Sequence, residues 1–102
     1  MNYLKAHASE FIGTALLLAI VAGSGMMGES LAGGNVAVAL LGNSIATGAG
    51  LFVLITVLGP ISGAHFNPVV SAMFWKLGHI SKDRLFGYWL VQFSGAIVGI
   101  WL

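Results

Sequence analysis

The apolar positions of this chain fall into long continuous blocks, with no period-2 alternation of the kind that marks a half-buried strand. Residues 8–27 form the first block, broken only by Glu10 and a few small hydroxyl side chains. The stretch 28–35 is rich in Gly and polar residues and reads as a turn. A second block covers residues 36–58. At this length a helix can cross the hydrocarbon core of a bilayer. Gly59-Pro60 is expected to end it, because Pro lacks an amide hydrogen and clashes inside a helix. Residues 61–66 are short, mostly apolar and contain Gly63. Asn67-Pro68 then reads as a helix start: Asn caps free amides and Pro suits the first helical position. Helix-compatible residues continue only to Lys76, a length that serves about half the depth of a bilayer. After a polar turn over 77–83, a third long helix is expected over 84–102. The pattern predicts an all-α membrane protein, a single membrane domain of three transmembrane helices plus one re-entrant half-helix at about 61–76.

Composition turns that pattern into a choice of solvent. Of the 102 residues, 58% are hydrophobic and 7% charged. An ordinary soluble domain is about 25% charged. The charges are also clustered: none lies between Glu10 and Glu29, between Glu29 and Lys76, or after Arg84. So few charged side chains cannot cover a water-facing surface, and lipid is the expected surroundings. The first helix is read as retained and not as a signal peptide. Its apolar run is longer than that of a signal peptide, and no cleavage site precedes a polar domain.

The basic residues orient the chain. They are Lys5, Lys76, Lys82 and Arg84. A segment 61–76 that dips into the membrane and returns puts all four on one side, whereas a full crossing splits them one to three. Basic residues favour the cytoplasmic face, so the re-entrant reading is preferred, with the N-terminus cytoplasmic and the C-terminus outside. The expected location is a plasma (inner) membrane. A net charge of +1 without a basic tract argues against nucleic acid. Absence of cysteine excludes thiolate metal sites and a Cys nucleophile. Small residues spaced by four, at Ala15, Ala19 and Gly23, at Ala46 and Gly50, and at Gly95 and Gly99, are expected to let helices approach closely.

Irregular backbone survives at membrane depth only inside protein or beside a water-filled cavity. Residues 61–66 therefore imply a cavity, with free carbonyls as acceptors. The positive end of the half-helix at Asn67 disfavours cations there, and the Asn67 amide has hydrogens to donate to a water or hydroxyl oxygen. His65 has no second His, Asp or Glu at ligand spacing and no nucleophile beside it. It is read as a buried imidazole stabilising the loop, with no metal, cofactor or catalytic role. His7 and His79 are read as interfacial, and Trp75, Tyr88 and Trp89 as an aromatic belt. From its position, Glu10 is read as a helix-start acid at the interface. Gln92, inside the third helix, needs a hydrogen-bond partner and is read as structural.

The segment Ser62-Gly63-Ala64-His65-Phe66-Asn67-Pro68-Val69 resembles the first signature loop of the aquaporins and glycerol facilitators, the major intrinsic proteins. Glu10-Phe11-Ile12-Gly13-Thr14 is similar to that family's first-helix signature, and Val91-Gln92-Phe93-Ser94-Gly95-Ala96 to its third-helix stretch. The resemblance covers essentially the whole chain as the N-terminal half of such a channel. It implies a pore lined by the carbonyls of Gly63, Ala64, His65 and Phe66, with Asn67 as midplane donor and Glu10 bracing the loop. Val69 departs from the family pattern, which has Ala there. Thr47, twenty positions before Asn67, stands where water-selective members carry a filter aromatic. The fourth to sixth helices, the second Asn-Pro motif and the filter arginine are missing.

The expected function is passive conduction of water or small uncharged, glycerol-like solutes, without reaction chemistry. The alternative is a non-conducting truncated product or a structural or regulatory membrane subunit. A second channel half, from the same gene or a separate chain, is the expected partner. A homo-oligomer is the other possibility, though the one-sided basic residues oppose a dimer of inverted copies.

Overall fold

The computed structural model describes residues 3–101, with side-chain surroundings from residue 4 onward. These residues form four helices: α1 (Tyr3–Leu31), α2 (Val36–Ser62), α3 (Pro68–Lys76) and α4 (Lys82–Trp101). Helices α1 and α2 are long and apolar enough to cross a membrane. Helix α4, with 20 residues, opens on Lys82, Asp83 and Arg84; residue 102 of the expected third helix lies outside the described residues.

Element boundaries differ from the sequence expectation in two informative places. Helix α1 begins at Tyr3, so Glu10 sits in its interior, about two turns from the start. The helix-start reading of Glu10 is thereby overturned. Helix α2 does not stop at Gly59-Pro60 but runs through Pro60 to Ser62. The missing amide bond and the ring's clash with the preceding turn fall here on the last turn of α2, where they disturb little of the helix. The stop comes instead at Gly63, whose φ is +88° and whose amide closes on the Gly59 carbonyl at 2.8 Å. Glycine alone adopts that conformation without steric cost, which makes it the usual helix terminator. The irregular segment shrinks accordingly from 61–66 to 63–66. Local caps define the other starts: Asn35 accepts from the Val38 amide at 3.2 Å, and Ser81 from the Arg84 amide at 3.2 Å. Each satisfies an amide that the first helical turn leaves free.

Helix α1 packs on α2 along one side and on α4 along another, and α3 leans on α4. The packing against α4 is backbone on backbone. A Cβ at Gly95 would lie 2.5 Å from the Phe11 carbonyl oxygen, and one at Gly99 would collide with that of Ala15. This is the close approach that small residues allow in lipid. The Ala15, Ala19, Gly23 series works only at its first member: Ala15 is buried, but Gly23 has nothing near its Cβ position.

The interior is polar and the outside apolar. Ser9, Glu10, Thr14, Ser62, His65, Ser71 and Gln92 are buried, while Leu40, Phe52, Val57, Leu90 and Ile100 are among many large apolar side chains left exposed. In water such a surface would invite association. In hydrocarbon it has no cost, and the polar groups must find one another inside.

Candidate functional site

The buried polar groups converge on the 63–66 loop, and Glu10 is their centre. Fully buried, its carboxylate accepts four hydrogen bonds. Oε2 takes the Ser62 hydroxyl at 2.6 Å and the His65 amide at 3.1 Å. Oε1 takes the Phe66 amide at 2.8 Å and Gln92 Nε2 at 2.8 Å. All four lone-pair sites of a carboxylate are thus filled. Around this core, Ser9 donates to the Ser62 hydroxyl at 3.0 Å, and Tyr88 donates to the Ser62 carbonyl at 2.8 Å. Gln92 Nε2 also reaches Ser71 Oγ at 2.9 Å, which lies 2.9 Å from His65 Nδ1.

The brace holds a strained backbone. Ala64 and Phe66 both lie at positive φ, +53° and +52°. Side chains other than Gly adopt that region at a cost of order 1–3 kcal/mol each. Phe66 is wedged against Gly13, where a Cβ would overlap the ring. Gly13 is therefore required by packing against the loop. The ring of His65 stacks on Phe74 at a centroid distance of 4.6 Å and meets the edge of Tyr88 at 5.1 Å.

One consequence is an asymmetry of the loop backbone. The amides of Gly63, Ala64, His65 and Phe66 all donate inward, to the Gly59 carbonyl, the Ser62 hydroxyl and Glu10. None of the carbonyls of these four residues accepts a hydrogen bond among the described residues. Asn67 follows in extended conformation (φ −154°) and caps α3 with Oδ1, which accepts the Val69 amide at 2.8 Å. Asn67 is exposed, and its amide nitrogen keeps both hydrogens available. Trp89 fixes the same helix start from outside, donating to the Pro68 carbonyl at 2.9 Å.

The structure thus brings Glu10, Gln92, His65, Phe66 and Asn67 to one place, with Gly63 and Ala64 between them. Val69 is exposed on α3. Thr47 is elsewhere: half-buried on α2, its hydroxyl is 3.5 Å from Asn43 Oδ1, which also accepts from Ser24 at 2.7 Å. Asn43 lines a cavity of about 350 Å³ at the α1–α2 turn, together with Gly25, Glu29 and Asn35. Tyr88 is not part of an aromatic belt. It is fully buried and bonded to Ser62, because it shares a face of α4 with Gln92, Gly95 and Gly99. Ser9, Ser62, Ser71 and Tyr88 escape sequence reasoning; the 88, 92, 95, 99 spacing on α4 is the available signal for Tyr88.

Comparison with known proteins places this arrangement. The family model described as Major intrinsic protein matches residues 1–102. The chain belongs to the major intrinsic protein family. It is 50% identical over 91 residues to the aquaglyceroporin AqpS of Rhizobium meliloti (strain 1021), covering 89% of this chain and 39% of that protein. Aquaporin NIP2-1 of Oryza sativa subsp. japonica is 39% identical over 97 residues, 94% of this chain and 31% of that one. Aquaporin TIP1-2 of Musa acuminata is 37% identical over 97 residues, 93% and 38%. The chain spans about two fifths of the length of these relatives, or less. No solved structure matches it. Major intrinsic proteins are integral membrane channels and not enzymes, and this chain is accordingly a membrane protein.

Proposed function

We propose that this chain forms one half of a channel passing water or small uncharged solutes, with α1, α2 and α4 crossing the membrane and the 63–66 loop and α3 dipping in and returning. The observation that carries the reading is the one-sided loop backbone: four amides held inward and four carbonyls without a partner among the described residues. Such carbonyls at membrane depth must be covered by protein or face a water-filled cavity, and beside a cavity a row of them lets a polar molecule exchange acceptors stepwise. Asn67 supplies donors at the end of that row, and the positive end of α3 opposes cations. The pore-lining set is Gly63, Ala64, His65, Phe66 and Asn67, with Thr47 further along at the filter. The similarity to an aquaglyceroporin supports a glycerol-sized solute. A second half, on the same or another chain, completes the pore. The membrane is a plasma (inner) membrane, and the four basic residues, which fall on one side in this re-entrant topology, support a cytoplasmic N-terminus.

Two experiments test this. Asn67→Asp in the reconstituted channel removes the free amide donor and adds negative charge at the helix end; it is expected to lower solute flux or admit protons in stopped-flow and proton-leak assays. Unchanged water, glycerol and proton fluxes would remove Asn67 from the pore. Single cysteines placed at the two ends of this cysteine-free chain should label from opposite sides of intact cells. Labelling from one side refutes the topology.

A further inference from the structure

We infer that Ser71 and Gln92 are positioning residues that hold the His65 imidazole with its proton on Nε2, giving the open side of the 63–66 loop a fixed hydrogen-bond donor. The assignment follows from proton bookkeeping. Gln92 Nε2 has two hydrogens, and both are used: one meets Glu10 Oε1 at 2.8 Å and the other Ser71 Oγ at 2.9 Å. Reversing the amide would set its oxygen against the Glu10 carboxylate, which favours this orientation even though it leaves Gln92 Oε1 buried without a partner. Ser71 Oγ therefore accepts from Gln92 and must donate its own proton elsewhere. Ser71 is fully buried, and the acceptor the structure offers its proton is His65 Nδ1, at 2.9 Å. Other helical hydroxyls here fold back onto a carbonyl one turn earlier, as Thr56 does onto Phe52 and Ser94 onto Leu90. Ser71 makes no such bond among the described residues. A buried hydroxyl proton without an acceptor is costly, so Nδ1 is the bare nitrogen and Nε2 carries the hydrogen.

Geometry decides where that hydrogen is available. The ring is clamped between Phe74 and Tyr88, so it does not flip. Nε2 lies 3.3 Å from where a Cβ on Gly63 would stand, and Gly63 is exposed. Nε2 has no partner among the described residues, yet it is not sealed inside the protein. The donor is thus presented beside Gly63, next to the partnerless carbonyls. Resting on the pore reading above, its counterpart is the acceptor oxygen of a neutral solute. The loop then offers a donor beside Gly63, a row of acceptors, and the Asn67 amide at its far end, a set that suits a molecule carrying hydroxyl groups.

The test reads the imidazole directly. The chain, labelled with ¹⁵N-histidine and placed in lipid nanodiscs at pH 8, is compared with its His65→Gln variant, which singles out His65 from His7 and His79. The expected spectrum shows a protonated Nε2 and a bare Nδ1, with a preference of about fivefold or more. Ser71→Ala should erase that preference while helicity by circular dichroism is kept, and Ser71→Thr should restore it. A wild-type spectrum with the proton on Nδ1, or on both nitrogens, overturns the assignment without recourse to any variant. So does a Ser71→Ala spectrum identical to wild type. Glycerol and water flux through the reconstituted channel then separates the two levels of the claim. Ser71→Ala is expected to reduce glycerol flux several-fold, with Ser71→Thr recovering it. A tautomer that shifts while flux stays constant removes the solute as the donor's counterpart. A wild-type channel that passes nothing, with the expected tautomer, refutes the pore reading and leaves the proton assignment standing.

Discussion

Glu10→Gln changes one oxygen to an NH₂ group and should release the 63–66 loop. The carboxylate now accepts from Ser62, from the His65 and Phe66 amides and from Gln92. A glutamine side chain has one acceptor oxygen. In its best orientation that oxygen stays at Oε1, keeping Phe66 and Gln92. The new NH₂ group then faces the Ser62 hydroxyl, which already accepts from Ser9 and the Ala64 amide and can take it only by reversing its bond with Ser9, and the His65 amide, which cannot accept. One buried amide is stranded, at about 1–3 kcal/mol. The two surviving bonds lose charge assistance, about 1 kcal/mol each. The total is about 3–5 kcal/mol. Against it stands the positive φ at Ala64 and Phe66, which relaxes once the brace weakens. At roughly 1.4 kcal/mol per factor of ten, protection of the His65 and Phe66 amides should fall by about two to three orders of magnitude. Amide exchange measured on peptides covering 63–76 in nanodiscs reads this, with α1 and α2 as internal references. Unchanged protection at His65 and Phe66, with helicity intact, would refute the claim that Glu10 holds the loop.

Three further outcomes are expected. Gly99→Ala should push α4 from α1, because the new methyl meets the Ala15 carbonyl oxygen; thermal or detergent unfolding should show a loss of about 1–3 kcal/mol. Gly23 has open space around it, so Gly23→Ala should be neutral or gain up to about 1 kcal/mol, and equal losses in the two variants would contradict the packing account. Thr47→Phe in the reconstituted channel should reduce glycerol flux more than water flux; parallel changes in both would place Thr47 away from the filter.

The sequence by itself determined the solvent, the helical class and the family. Long apolar blocks and clustered charges are one-dimensional properties, so lipid surroundings and helices follow without coordinates. The α3 start is equally legible, because capping by Asn67 and Pro68 is local chemistry. Close packing at Gly95 and Gly99 is legible as a spacing, but the partner carbonyls of Phe11 and Ala15 are not. The end of α2 is misread at Pro60, since proline acts through its own missing bond whereas Gly63 acts through a conformation that only the whole loop reveals. The bracing role of Glu10 follows from the family resemblance, but its partners belong to tertiary structure. Glu10 meets Ser62, His65, Phe66 and Gln92 across separations of 52, 55, 56 and 82 residues. Ser9, Ser71 and Tyr88 look like ordinary helix residues until the fold places them around that carboxylate. A polar side chain in a membrane protein announces that it needs a partner; which partner it finds depends on helix rotation and crossing, and those are set by packing.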